Sequence, residues 1–381
     1  MTSAQPGFFF TILSFVLVIG PLIFVHELGH YLVGRACGVK AEVFSIGFGR
    51  ELFGWTDGKG TRWKVCLLPL GGYVKFAGDM NAAGQPSREW LMLPAEERAR
   101  TFQAKPVWQR FLIVAAGPFT NFLIAILIIA GFVMAIGKPV TPPVIAKIQA
   151  GSAAAKAGLR PLDRITAIDG HPIADFEDLQ TDLMLKRPVP IHVDFVRGGR
   201  TMSVVAHLTT EVERDQFRNE TTRSVLGVWP VKTRIVTVSP FAAIGTGFQQ
   251  TWRIVSVSAQ GMKQIVVGER SIKDLSGPLK TARFSGEQTS LGPLSYLWFL
   301  VVVSINLGFI NLLPIPMLDG GHLLFYVIEA VRRRPLQPQA QEWAFRTGLA
   351  ALLALMIFVT LNDLASFGLW SKLGGLIGGI G

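Results

Sequence analysis

Three hundred and eighty-one residues would accommodate two or three soluble domains. Half of them, however, are hydrophobic, only 17% are charged and the mean hydropathy is +0.40, against about 25% charged residues in a typical soluble domain. These figures exclude a disordered chain, a collagen-like fibre and, with only Cys37 and Cys66 as cysteines, a disulfide scaffold. A formal charge of +11 would point to nucleic acid in a soluble chain, but in an apolar one it points to basic loops kept on the cytoplasmic side of a membrane.

Four apolar stretches match the roughly 20 helical residues that cross a bilayer core of about 30 Å. They run from Phe8 to about Val33, from about Phe111 to Ile136, from about Leu294 to Leu313 and from about Thr347 to Leu361. The predicted fold class is therefore a polytopic α-helical membrane protein with about four spans. The expected divisions are a first transmembrane helix (1–36), a membrane-associated β-loop (37–106), a second helix (107–137), an inserted α+β domain (138–232), an amphipathic helical segment (233–290), a third span (291–330), and a loop, fourth helix and tail (331–381). No Lys or Arg precedes Phe8, so a cleaved signal peptide with its basic leading region fits poorly and the first span is expected to stay.

Twelve Lys and Arg residues lie between Arg35 and Arg110, and Arg332, Arg333 and Arg334 form a run before the fourth span, whereas the tail holds only Lys372. The positive-inside rule places both termini and the long segment from about 138 to 290 outside, and the first and third loops in the cytoplasm. Cys37 and Cys66 then face the reducing side as free thiols.

Along the first loop, Val43 to Phe48 and Trp63 to Leu68 read as strands, with glycines at Gly47, Gly49, Gly71 and Gly72 permitting close backbone approach. In the outer segment, Pro139 to Pro143 is a stiff linker, Val144 to Ile148 alternates like a strand, and Gly151 to Leu159 is a short helix ended by Gly158. Asp163 to Gly170 is a strand entering an Asp-Gly turn, Phe176 to Leu185 a helix, and Ile191 to Leu208 a hairpin turning at Arg197 to Arg200. This order, and GSAAAKAGLRPLDRITAIDG in particular, resembles a bacterial PDZ domain over roughly 90 residues. The resemblance implies a groove that takes an extended chain end by adding a strand. From Phe248 to Val267 the apolar residues Phe248, Trp252, Val255, Ala259, Met262 and Val266 recur at helical spacing, predicting a helix on the membrane surface or packed on the domain.

The chemistry concentrates in two places. The first span ends in His26-Glu27-Leu28-Gly29-His30, and histidines at i and i+4 of a helix share one face, so both imidazoles reach one zinc ion with Glu27 beside them to handle protons. An ionisable residue at mid-bilayer costs about 2.5–3.5 kcal/mol; three within one turn need a return, which a shared metal supplies and a metal-free proton relay supplies less well. A zinc site needs a further protein ligand and an open position. Near membrane depth the candidates are Asp319 and His322, just beyond the helix-breaking Pro314 and Pro316. Broken backbone at that depth is tolerated where it lines a wet cavity, which favours Asp319 as ligand and His322 as a supporting residue.

The helix-borne HELGH, the later NLLPIPMLDGG and the domain between them resemble the site-2 protease family of intramembrane zinc metalloproteases, most nearly the bacterial regulator-of-sigma-E protease branch. The resemblance covers nearly the whole chain. It implies that His26, His30 and Asp319 bind one Zn²⁺ per chain and that Glu27 is the catalytic acid/base. Asn311 and Asn306 would contact substrate backbone, and the β-loop carrying Gly47, Gly49, Gly71 and Gly72 would hold an unwound substrate as an added strand. The family's second-span pattern also matches Gly117 to Phe122, where Asn121 reads as a hydrogen bonder in helix packing. That branch commonly carries tandem PDZ domains, and a single one fits here.

The implied activity is hydrolysis of transmembrane segments of single-pass membrane proteins, such as anti-sigma factors or signal-peptide remnants, in a bacterial inner membrane after a first cut outside. The PDZ groove would take a peptide C-terminus or exclude bulky ectodomains, and nucleic acid is not an expected partner. Two other classes remain open from the residues: a metal transporter using the His/Asp cluster, and a membrane-anchored PDZ adaptor whose metal is structural.

Overall fold

The computed structural model describes residues 7–78, 93–184, 186, 189–214, 220–268, 271, 272, 275 and 277–366; Leu185 and Lys372 of the sequence reading, and Arg88 among the twelve basic residues of the first loop, lie outside them. The chain divides into two compact units, Met1–Ile129 with Ser276–Asp363, and Ala130–Leu275 with Leu364–Gly381. Among the described residues, four helices are long and apolar enough to cross a membrane: Phe8–Ala36, Val107–Ile136, Pro293–Asn311 and Gln339–Ala365. The last is much longer than the stretch from Thr347, because Trp343 and Phe345 continue the helix through Glu342 and Arg346, which pair at i,i+4.

In the first unit, α1 (Phe8–Ala36) buries Val18, Leu22, Ile23, His26, His30 and Gly34. The chain then enters a long antiparallel hairpin, β1 (Ala41–Thr56) and β2 (Arg62–Phe76), which extends well past both predicted strands. Its register folds back on itself. Phe44, Ser45 and Ile46 pair with Trp63, Lys64 and Val65 on one side and with Val74, Tyr73 and Gly72 on the other. The residues from Gly72 to Lys75 therefore form an outer edge, and among the described residues no further strand pairs with it. Phe44 fixes the hairpin to α1, with its ring 5.6 Å from Phe24 and stacked 4.3 Å from Trp63, which meets Tyr31 at 5.1 Å. Aromatic pairs of this kind contribute about 0.5–1.5 kcal/mol each beyond their burial. The far end of the hairpin leaves Leu52, Phe53, Trp55, Leu67 and Leu68 exposed, an apolar surface suited to lipid rather than water.

A short helix, α2 (Ala95–Ala99), precedes α3 (Val107–Ile136). At the other end of the unit, α7 (Pro278–Ser290) starts on a buried carboxylate: Asp363 of α10 (Pro338–Ser366) accepts from the backbone N–H of Gly277 and Lys280, satisfying orphan donors of the helix N-terminus. α8 (Pro293–Asn311) follows, and the third predicted span ends there. The proline-rich stretch Leu312 to Leu318 turns, with Met317 at φ 85, into a separate helix, α9 (Asp319–Arg332). The far end of α9 is held to α3 by Arg110, whose guanidinium donates to Glu329 at 2.8 Å and lies over the Tyr326 ring. Both cysteines are free thiols.

The second unit holds the β-rich region. β3 (Lys138–Val140) pairs with β12 (Arg234–Val236), and β4 (Ile145–Ile148) pairs with β11 (Val228–Pro230). A four-stranded sheet runs in the order β6-β5-β7-β8 from β5 (Arg164–Ile168), β6 (His171–Pro172), β7 (Pro190–Arg197) and β8 (Arg200–His207). Two helices accompany it, α4 (Ala153–Lys156), capped by the Ser152 hydroxyl, and α5 (Phe176–Met184); β9 (Thr209–Arg214) and β10 (Glu220–Val225) form a hairpin. The core gathers the alternate residues Ile165, Ile168, Ile191, Val193 and Phe195 with Leu179 of α5. A groove of about 550 Å³ runs between α5 and the segment Ser224 to Pro230.

α6 (Pro240–Val266) begins earlier than its predicted apolar stripe, behind the N-cap Ser239 and a proline in its first turn. The small residues Ala243, Thr246, Gly247 and Thr251 are buried, while Phe241, Phe248 and Trp252 stand exposed. Its polar side makes the contact with the domain: Arg253 pairs with Glu177 at 2.7 Å and with Asp178, and Gln250 donates to Glu177.

Asp163 anchors the sheet. Its buried carboxylate accepts two hydrogen bonds from Arg197, each 2.7 Å, and one from the Arg160 N–H at 2.7 Å. Burial alone would raise its pKa, but these donors outweigh burial and hold it below the ordinary carboxylate value. A carboxylate depressed in the folded state contributes stability above its unfolded pKa and loses it as pH falls through the folded one. Asp163→Asn is therefore expected to cost about 1.5–3 kcal/mol at neutral pH, read as faster amide exchange of β5 and β7 in the intact protein. The difference from wild type should shrink below about pH 4, where the acid itself becomes protonated in the unfolded state; a gap that widens on acidification would contradict this account.

Candidate metal centre

The two histidines sit on the buried face of α1, one turn apart, with Nε2 atoms 3.3 Å from each other. His30 Nδ1 lies 2.8 Å from the Ile113 carbonyl. A carbonyl only accepts, so Nδ1 carries the proton and Nε2 presents its lone pair. Asp319, the first residue of α9, brings Oδ2 to 3.1 Å from His26 Nε2 and 3.6 Å from His30 Nε2. The three ligand atoms lie within 4.8 Å of one another.

Local sequence explains why Asp319 arrives there. Gly320 and Gly321 leave no room for a side chain: a Cβ at Gly320 would overlap the carbonyls of Leu312 and Leu313, and one at Gly321 would meet Ile315 O and, at 2.8 Å, Pro316 Cα. Two glycines thus let the proline turn fold tightly against the start of α9 and point its first residue at α1. On the other side, α1 and α3 cross at glycines. A Cβ on Gly29 would overlap Thr120 and Ala116, and one on Gly117 would overlap His30 Nε2 and lie 2.9 Å from His26 Nε2.

These residues fit a bound divalent metal. Asp319 Oδ2 is buried and accepts no hydrogen bond, although two imidazole nitrogens stand within 4 Å of it. Oxygen and nitrogen lone pairs directed at one small volume repel unless a cation lies between them, and two imidazoles with one carboxylate are a recurrent zinc donor set.

The ligand atoms face a cavity of about 610 Å³ whose lining includes Glu27, Gly71, Gly72, Tyr73, Val74, Leu307, Asn311 and His322. Val74 lines the same cavity as Glu27, and a Cβ at Gly72 would come within 3.0 Å of Glu27 Cγ, so the outer edge of the hairpin runs directly past the carboxyl. Of the other residues singled out in the sequence, Gly47 and Gly49 lie at φ 87 and 85 within the hairpin and do not line the cavity. Asn306 donates to the Val302 carbonyl of its own helix, away from the cavity lining. His322 packs its ring 5.0 Å from Phe345. Asn121 does more than pack helices: its Nδ2 lies 3.2 Å from His26 Nδ1. The i,i+4 spacing of Gly117 and Asn121 on α3, matching that of the two histidines on α1, was the signal available for that contact.

A histidine pair, a carboxyl beside it and a converging aspartate on apolar helices define a metal-dependent peptidase of membrane type. The family profile and the curated relatives agree. Residues 14–355 match the profile of Peptidase family M50. A Rhizobium meliloti protein provisionally named a zinc metalloprotease is 43% identical over 362 residues, covering 93% of this chain and 96% of its own. An Agrobacterium fabrum protein of the same provisional name is 42% identical over 360 residues, with the same coverage. Metalloprotease MmpA of Caulobacter vibrioides is 36% identical over 398 residues, covering 97% and 99%. A solved PDZ domain of an SdrC-like protein from Listeria monocytogenes is similar at 18% identity and TM-score 0.20, covering 23% of this chain and 85% of that one. The chain belongs to peptidase family M50 and is a zinc metalloprotease.

Proposed function

We propose that the protein cleaves peptide bonds within the transmembrane segments of single-pass membrane proteins, after a first cut has removed most of the ectodomain. The observation that carries this reading is the convergence of His26, His30 and Asp319 beside Glu27 in one cavity, on helices apolar enough to lie in lipid.

In this reading His26 Nε2, His30 Nε2 and Asp319 Oδ2 hold one zinc ion. A zinc ion held there would polarise the scissile carbonyl and would lower the pKa of water toward about 7. The Glu27 carboxylate takes the proton of the attacking water and delivers it to the leaving amine. A helix in lipid hides its peptide bonds, so the substrate has to unwind before it reaches Glu27. The outer edge from Gly72 to Lys75 offers unpaired backbone groups to the extended chain, and Gly72 keeps that edge close to the carboxyl. The Asn311 amide holds the chain from the opposite wall. Anti-sigma factors and remnants of signal peptides are the substrate types expected.

The excess of Lys and Arg between Arg35 and Arg110 supports a cytoplasmic position for the hairpin and for the site end of α1 in a bacterial inner membrane, with both termini and the PDZ-like domain in the periplasm. The groove beside α5 then either receives the new C-terminus left by the first cut or turns away bulky ectodomains. The direct test is to incubate the purified full-length protein with candidate single-pass membrane proteins. Cleavage inside the transmembrane segment is expected, stopped by a zinc chelator and restored by added zinc. Zinc uptake into vesicles without any cleavage would favour the transporter reading instead.

A further inference from the structure

Asn121 stands in the middle of α3, fully buried, beside the imidazole of His26. Its backbone carbonyl accepts from Ser304 of α8 at 2.9 Å, so the helix cannot shift there without breaking a buried hydrogen bond. Its side chain is anomalous. Nδ2 lies 3.2 Å from His26 Nδ1, while Oδ1 is buried with no hydrogen-bond partner. In that rotamer the amide donates to Nδ1, which forces the His26 proton onto Nε2, the atom 3.1 Å from Asp319 Oδ2 and 3.3 Å from His30 Nε2. A zinc ligand needs that lone pair free. The two ends of a carboxamide are nearly isosteric, and half a turn of the amide brings the orphaned Oδ1 to Nδ1.

We propose that Asn121 is a positioning residue for the metal centre. Its Oδ1 accepts the Nδ1 proton of His26, fixing the tautomer and ring plane so that Nε2 faces the same point as His30 Nε2 and Asp319 Oδ2. His30 is already held in this way, its Nδ1 proton on the Ile113 carbonyl. The two imidazoles are thus anchored from behind by two acceptors of α3, eight residues apart. The inference rests on the reading that His26, His30 and Asp319 hold zinc. It adds that the second helix sets which nitrogen of His26 is the ligand, the role outer hydrogen-bond partners play at zinc sites.

The test is zinc affinity of the full-length protein, measured by competition with a chromophoric chelator, for wild type, N121L, N121D and H26A. Asn121→Leu removes the acceptor and is expected to weaken zinc binding about 10–100-fold. Asn121→Asp keeps an acceptor in place and is expected to stay within about threefold of wild type, since a carboxylate is as good an acceptor for this proton. Wild-type affinity in N121L, or equal loss in N121L and N121D, would overturn the proposal. H26A separates the two levels: if it too binds zinc like wild type, the metal-site reading fails, and with it this inference. A second measurement, made on the wild-type side chains themselves, is ¹⁵N NMR of the zinc-free protein, with His26 assigned by its absence in H26A. The Nδ1–H tautomer at His26 is expected, and the Nε2–H tautomer would overturn the proposal.

Discussion

Glu27→Gln is expected to leave zinc bound while reducing cleavage of a transmembrane substrate by at least about 10²–10⁴-fold, the range that a positioned general acid/base supplies. The carboxyl lines the same cavity as His26, His30 and Asp319 but is not one of the three clustered ligand groups, and the bare Cα of Gly72 packs against its Cγ. The amide has the same shape, so binding and packing survive the substitution. What it lacks is a basic oxygen to take a proton from water and return it to the departing amine. Cleavage of a tagged substrate, followed together with metal content, checks both halves of the statement. Undiminished turnover by E27Q would remove Glu27 from the mechanism, and the transporter alternative predicts zinc flux that does not depend on it.

Asp319→Ala is expected to weaken zinc binding by more than about 100-fold, beyond the range that outer hydrogen-bond partners carry. It removes one of three converging donors and leaves a histidine pair that cannot close the site. The helix that bears Asp319 should persist, because its far end is held by Arg110 to Glu329 and Tyr326 and its start by the tight turn at Gly320 and Gly321. Loss of affinity without a fall in the thermal midpoint of the zinc-free protein therefore reports on the ligand, not on the fold. A chelator competition and a melting curve on the same preparation measure the two; wild-type affinity in D319A would take the aspartate out of the site.

Much of this architecture was legible because membrane burial leaves few ways to arrange a chain. The four spans follow from apolar length alone, and HELGH follows from helical periodicity, which puts His26 and His30 on one face whatever surrounds them. Asp319 was reachable because Pro314 and Pro316 break a span just before a carboxylate. The hairpin extended past its predicted ends because each half of β2 pairs with the same stretch of β1, a doubling that alternation of side chains does not encode. Asn306 enters only through the family resemblance; its amide donates to the Val302 carbonyl of its own helix, a rotamer that no sequence pattern encodes. Sequence alone offers Asn121 only as a packing residue, because its partner lies 95 positions away and only the crossing of α1 and α3 at Gly29 and Gly117 brings the two together. For α6 the apolar period allowed a membrane-surface helix or one packed on the domain; Phe248 and Trp252 stand exposed while Arg253 and Gln250 meet the domain at Glu177, a pairing that the period does not encode.

X-ray absorption at the zinc edge of the purified wild-type protein tests the convergence of α1 and α9 on one ion most directly. The expected first shell contains only nitrogen and oxygen, with two imidazoles and carboxylate or water oxygens at about 2.0–2.2 Å, and loses an imidazole contribution in H26A and in H30A. A sulfur neighbour at about 2.3 Å, the distance of a cysteine thiolate, or a wild-type shell with no imidazole signature, would contradict it.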